Sequence, residues 1–249
     1  MKTKEKFLDD LGGEERDIKI VKTPNSDYIN ELGIEVLNKF YTSNNPINID
    51  AENIEYYYNN IFHYVAPKIK KINYDDLTFF IHANLNIHDN NNYSKTSPYF
   101  FLGAYSGCLL HILTQIHPQR YYINGLGQRF DYLFCGANYF DELIVDNFES
   151  QGLCKGVGLN GEGNLLLTIN NEANACSNIA YNGHIKDIAI INNEGSFLFD
   201  LCKKGKSDFI LGLNSEGSID WSVTYTVSGD KKIMTKEIKK NRKIDKIYL

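Results

Sequence analysis

The sequence predicts an α+β protein: a mainly helical N-terminal domain followed by a short β-solenoid of four to five coils, each about 22 residues long. Three observations predict it. Apolar residues recur at helical spacing through residues 26–65. A polar, turn-rich stretch, HDNNNYSKTSP at residues 88–98, then interrupts the chain. Further on, three consecutive 22-residue segments repeat one another in register: GLNGEGNLLLTINNEANACSNI from Gly158, AYNGHIKDIAIINNEGSFLFDL from Ala180 and CKKGKSDFILGLNSEGSIDWSV from Cys202.

The helical elements come first. Ser26 is a suitable N-cap for a helix with Ile29, Leu32, Val36, Leu37 and Phe40 on one face, and Gly33 weakens that helix locally. Asp50 caps a second, with Ile54, Tyr57, Tyr58, Ile61, Phe62 and Val65 at helical spacing before Pro67 ends it. Residues 77–87 fit strand or helix equally. The dense apolar run 99–116, holding Gly103 and Gly107, reads as a helix capping the next element or as that element's first strands. These observations divide the chain into a helical domain over 1–98, a repeat domain over 99–225 and a basic tail or cap over 226–249.

The repeat has a defined register. Gly161, Gly183 and Gly205 stand 22 apart, and each opens a segment leading into an apolar strand: 165–169, 188–191 and 209–213. Each strand closes on an asparagine (Asn147, Asn170, Asn192, Asn214), and two residues later comes a glutamate (Glu149, Glu172, Glu194, Glu216). Gly195 and Gly217 follow the last two glutamates, and Asn124 marks a further upstream coil. One unit cannot bury its strand alone; stacked units bury it against the next copy. Asparagine at a recurrent corner tolerates left-handed backbone and can bond along the stack. Glycine at the opposite corner is expected to supply positive φ. A right-handed β-helix-like coil fits best. A leucine-rich-repeat-like solenoid is the alternative, because Ile185, Ile188, Ile190 and Asn193 fit its pattern while the other copies depart from it.

Composition and charge narrow the function classes. The net charge is −5, yet residues 230–249 hold eight Lys/Arg against three Asp/Glu. Such a tail suits an anionic partner or a solvated end. The N-terminus lacks a secretory apolar run, no stretch approaches the ~20 apolar residues of a membrane span, and the five cysteines include no CxxC pair. These features lead us to expect a cytoplasmic protein with reduced thiols. No metal or cofactor motif is present, and neither GxSxG, HExxH, a kinase set nor a Walker sequence occurs.

The expected function is therefore a non-enzymatic scaffold whose partner is another protein. An enzyme is the rival. Its candidate site lies at the junction of helices and first coils, where His111, His117, Arg120, Arg129 and Asp131 cluster in sequence. An arginine pair beside tyrosines suits a phosphate or carboxylate and a β-helix groove suits a carbohydrate, whereas Asp131 beside Arg129 suits a structural salt bridge. The glutamate row suits a cation, a basic ligand or solvent alone. Cys154 and Cys176, 22 apart, suit a metal- or cofactor-assembly scaffold or a buried apolar role.

Overall fold

The computed structural model describes residues 20–41, 48–86, 98–174, 176–195, 197–199 and 201–213. Four helices precede a parallel β-solenoid of about three turns with coils of about 22 residues. The loop at 88–97, the ladder positions Asn214 and Glu216, Gly217, Trp221 and the tail 226–249 lie outside the described residues, as does the remainder of the expected four to five coils.

Helix α1 (Ser26–Phe40) buries Ile29, Leu32 and Val36. Its N-cap is Asn25 rather than Ser26, which forms the first helical residue and instead accepts a hydrogen bond from the Thr23 amide at 2.9 Å. Gly33 has a packing reason: a Cβ there would lie 3.0 Å from the Phe80 ring and 3.1 Å from Tyr105. Helix α2 (Ala51–Val65) starts as its sequence requires, the Asp50 carboxylate accepting from the Asn53 amide at 2.9 Å. The ambiguous run resolves as helix α3 (Tyr74–Ala83), because Asn73 and Asp76 form a reciprocal capping box ahead of it. Helix α4 (Pro98–Ile116) takes up the apolar run. It is long and apolar enough to cross a membrane by length and composition, yet it is mostly buried as the central helix of the core.

The solenoid strands are β1 (Arg120–Arg129), β2 (Tyr139–Gln151), β3 (Glu162–Ile169), β4 (Glu172–Asn174), β5 (Cys176–Ser177), β6 (His184–Ile191), β7 (Phe197–Phe199) and β8 (Phe209–Leu213). The main sheet runs β1-β2-β3-β6-β8, all parallel, with β4 also paired to β2. A second, two-stranded parallel sheet, β5-β7, lies elsewhere on the coil. Inward rows stack apolar side chains: Tyr121, Leu143, Leu166, Ile188 and Ile210 in one, Ile123, Val145, Thr168 and Ile190 in the next. One continuous buried cluster joins these rows to the helices.

Two details correct the sequence reading. Gly161, Gly183 and Gly205 do not have positive φ; stacking distance requires them. A Cβ at Gly183 would lie 2.2 Å from the Gly158 carbonyl oxygen, and one at Gly205 would lie 2.2 Å from that of Ala180. The positive-φ positions fall on other rows, Phe134–Gly156–Asn178 and Gly136–Gly158–Ala180–Cys202, each at steps of 22. Asn124 is also not the upstream copy of Asn147. It pairs with Asp146, and the register offset of 22 there falls to 20 at Gln128↔Phe148, across a bulge that carries left-handed Leu126 and Gly127.

Candidate functional site

The junction is built from one face of α4. Gly103, Ser106 and Gly107 share that face at i, i+3 and i+4 spacing. A Cβ at Gly103 would lie 2.2 Å from the Tyr132 carbonyl oxygen, and one at Gly107 would lie 2.7 Å from that of Cys135. Between them the Ser106 hydroxyl accepts from the Phe134 amide at 2.9 Å and donates to the Gly103 carbonyl at 2.7 Å. The helix thus lies directly on the backbone of the first arc, residues 132–137.

The exposed edge of β1 is also covered from the helical side. Tyr74 donates to the Tyr122 carbonyl, and the Asn86 amide donates to the Arg129 carbonyl at 2.7 Å. The Asn86 side chain accepts from the Arg129 amide at 3.1 Å. A sheet edge is thereby blocked against further pairing.

The five junction candidates separate into different contacts. His111 on α4 lies 4.4 Å, ring to ring, from Phe62. Its Nδ1 is 2.8 Å from the Tyr58 hydroxyl, which also accepts from the Asn138 amide at 3.4 Å. Burial holds the Tyr58 hydroxyl well above the ordinary phenol range, so the group stays protonated. The Nε2 of His111 lies 3.0 Å from the Gln115 side-chain nitrogen, so both ring nitrogens have a partner. Burial also lowers the pKa of His111 to about 4. His117 lies just past α4, where its carbonyl accepts from the Tyr121 hydroxyl.

Arg120 pairs with Glu142 on the neighbouring strand at 2.6 Å, half-exposed. Arg129 forks onto Asp131 through Nε at 2.9 Å and Nη2 at 3.0 Å. Asp131 is buried and also accepts from the Gln151 amide at 2.7 Å, so this ion pair clips one coil to the next. Arg129 and Asp131 are the two candidates that touch each other. Among the described residues no group of three or more His, Cys, Asp or Glu is placed to hold a metal ion.

The ladders occupy the corner after the main strands. Asn147, Asn170 and Asn192 all take left-handed φ, from 51° to 56°. The Asn192 amide donates to Asn170 at 3.2 Å, and that of Asn170 donates to Asp146 at 3.1 Å. Glu149 pairs in register with Glu172, and Glu172 bridges to Glu194; all three are exposed. Two further rows escaped the sequence reading. Asn171 and Asn193 are buried: Asn171 accepts from the Phe148 amide at 2.9 Å and donates to the Val145 carbonyl at 3.0 Å, while its own amide donates to Asn193 at 2.8 Å. Half-buried Asn138 and exposed Asn160 and Asn182 form another row, Asn182 donating to Asn160 at 2.8 Å. The doubled Asn-Asn of two coils and the 22-residue spacing were the available signals.

All five cysteines are free and buried. Burial pushes every one of their thiols up, Cys135 and Cys202 to about 12, so they remain protonated and weakly nucleophilic. Scans against protein-family models, curated proteins and solved structures find no match to the chain.

Proposed function

We propose that the protein is a non-enzymatic scaffold that presents its solenoid to another protein. The observation that carries this reading is the exposed row Glu149, Glu172 and Glu194, one carboxylate per coil on paired backbone. Strand pairing sets the backbones that carry them about 4.8 Å apart. In water their mutual repulsion is below roughly 1 kcal/mol per pair, so solvent alone sustains the row. A partner segment bearing Lys or Arg gains attraction from all three at once, which favours fast, salt-sensitive association.

The junction supports the same reading. Its histidine has both ring nitrogens engaged, and its arginines are committed to Glu142 and Asp131. The first contact belongs to the helical cap, and the other two lie within the solenoid.

The test uses the full chain, tagged in its native host and purified at low salt. Wild type is compared with the triple variant Glu149→Lys, Glu172→Lys, Glu194→Lys. The expected result is one stoichiometric protein partner with wild type and none with the triple variant. A partner held equally by both, or by neither, overturns the proposal.

A further inference from the structure

The sequence holds three Asn-Gly pairs: Asn124-Gly125, Asn160-Gly161 and Asn182-Gly183. In such a pair the glycine nitrogen can attack the asparagine side-chain carbonyl, because glycine has no side chain to hinder the approach. The attack closes a cyclic imide. It needs a loosely held asparagine side chain and a backbone amide that nothing else engages. The fold treats the three pairs differently.

Asn124 is half-buried within β1. Its Nδ2 donates to the Tyr122 hydroxyl at 3.0 Å and to Asp146 at 2.9 Å, and its Oδ1 accepts from the Leu126 amide at 2.7 Å. Asn160 and Asn182 are exposed, in the bends that lead into β3 and β6. The Gly161 amide donates to the Gly158 carbonyl at 3.4 Å. The Gly183 amide has no hydrogen-bond partner among the described residues. One bond holds the Asn182 side chain, from Nδ2 to Asn160 at 2.8 Å. Asn182-Gly183 thus joins an exposed side chain to an unengaged amide. Stacking demands the glycine of this pair but not the asparagine, because the next coil carries Lys204-Gly205 in the same two places.

We propose that Asn182 is a site of spontaneous deamidation and that its isoaspartate product loosens the coil. The Gly183 nitrogen bonds to the Asn182 side-chain carbonyl carbon. The side-chain nitrogen leaves as ammonia, taking up the proton that the Gly183 amide gives up. Water then opens the imide at either carbonyl, giving aspartate or isoaspartate. Isoaspartate lengthens the backbone by one methylene immediately before Gly183. That glycine has no slack: a Cβ on it would lie 2.2 Å from the Gly158 carbonyl oxygen. Just beyond, the His184 amide donates to the Gly161 carbonyl at 2.8 Å, the first bond of β6 to the coil before it. The inference is independent of the proposed function, because this row precedes the main strands and the glutamate row follows them.

The experiment incubates the full chain, folded and in urea, in mildly alkaline buffer and follows the three peptides by mass spectrometry. In the folded chain Asn182 is expected to convert about fivefold or more faster than Asn124, with Asn160 between them. In urea, where only the shared dipeptide acts, the three rates are expected to converge. Equal rates in the folded chain overturn the inference, as does a lead by Asn124 or Asn160. So does an Asn182 that stays intact while the unfolded chain converts. Hydrogen exchange reads the effect on the stack. Aged wild type is expected to exchange the first amides of β6 about tenfold faster than fresh protein. Aged Asn182→Gln and fresh Asn182→Asp are expected to keep their protection. Unchanged protection in aged wild type, or an equal loss in either variant, overturns the loosening.

Discussion

At the residue scale, His111 shows how one side chain ties the two halves together. The phenol of Tyr58 from α2 hydrogen-bonds to it, Phe62 stacks on it, and the same phenol receives the Asn138 amide of the first coil. Protonating the ring would place a positive charge in a half-buried site. The folded pKa of about 4 lies below the ordinary value of 6.5, so the unfolded chain binds the proton first as pH falls. This contribution is complete above pH 6.5 and is lost progressively toward pH 4. Allowing for the part of the ring that solvent screens, it amounts to about 2 kcal/mol. His82, whose pKa burial also lowers, acts in the same direction. Urea unfolding at pH 7 and pH 4.5 is expected to show a smaller acid loss in His111→Gln than in wild type; an equal loss would remove His111 from this role.

At the element scale, the coil is held by three kinds of row: apolar rows inside, asparagine rows at corners and glycines where coils touch. Each depends on spacing more than on propensity. Gly183 shows this most sharply. Its missing Cβ leaves room for the carbonyl oxygens of Gly158 and Gly161, which would lie 2.2 and 2.4 Å from it. No side-chain rotation relieves a clash with backbone, so Gly183→Ala must push two coils apart. Overpacking of this kind costs about 3 kcal/mol. Chemical denaturation is the check, with Asn164→Ala as an exposed control on β3; a loss no larger than the control's would contradict the stacking role. The sequence made this row visible through its period but suggested the wrong cause, because φ cannot be read from a glycine's position in a repeat.

At the scale of the whole molecule, the helices act as the solenoid's first cap. They cover the β1 edge, and α4 lies on the first arc through Gly103 and Gly107. Solenoid ends need such a cap, since an unpaired strand edge invites association. Gly103→Ala would place a methyl 2.2 Å from the Tyr132 carbonyl oxygen. Separation of helices from coils should follow, with a stability loss of about 3 kcal/mol and early loss of amide protection in β1. Hydrogen exchange read by mass spectrometry measures both, and unchanged protection of β1 would show that the helices are not its cap.

The sequence by itself determined the period, the main strand positions, the asparagine corners and two of the four helices, because each of these is a local pattern repeated or phased along the chain. The doubled asparagines were equally visible, yet nothing local distinguishes exposed Asn170 from buried Asn171; only the coil's curvature turns one outward and the other inward. Tertiary structure alone decided the junction. His111, Arg120, Arg129 and Asp131 lie within 21 residues of one another, and sequence proximity suggested a shared site. The fold gives each of them a neighbour from another element or coil, because stacking at a step of 22 brings residue 142 to residue 120 and, past the bulge, a step of 20 brings residue 151 to residue 131. Contacts made across coils depend on register, and at the first coil a two-residue bulge sets that register.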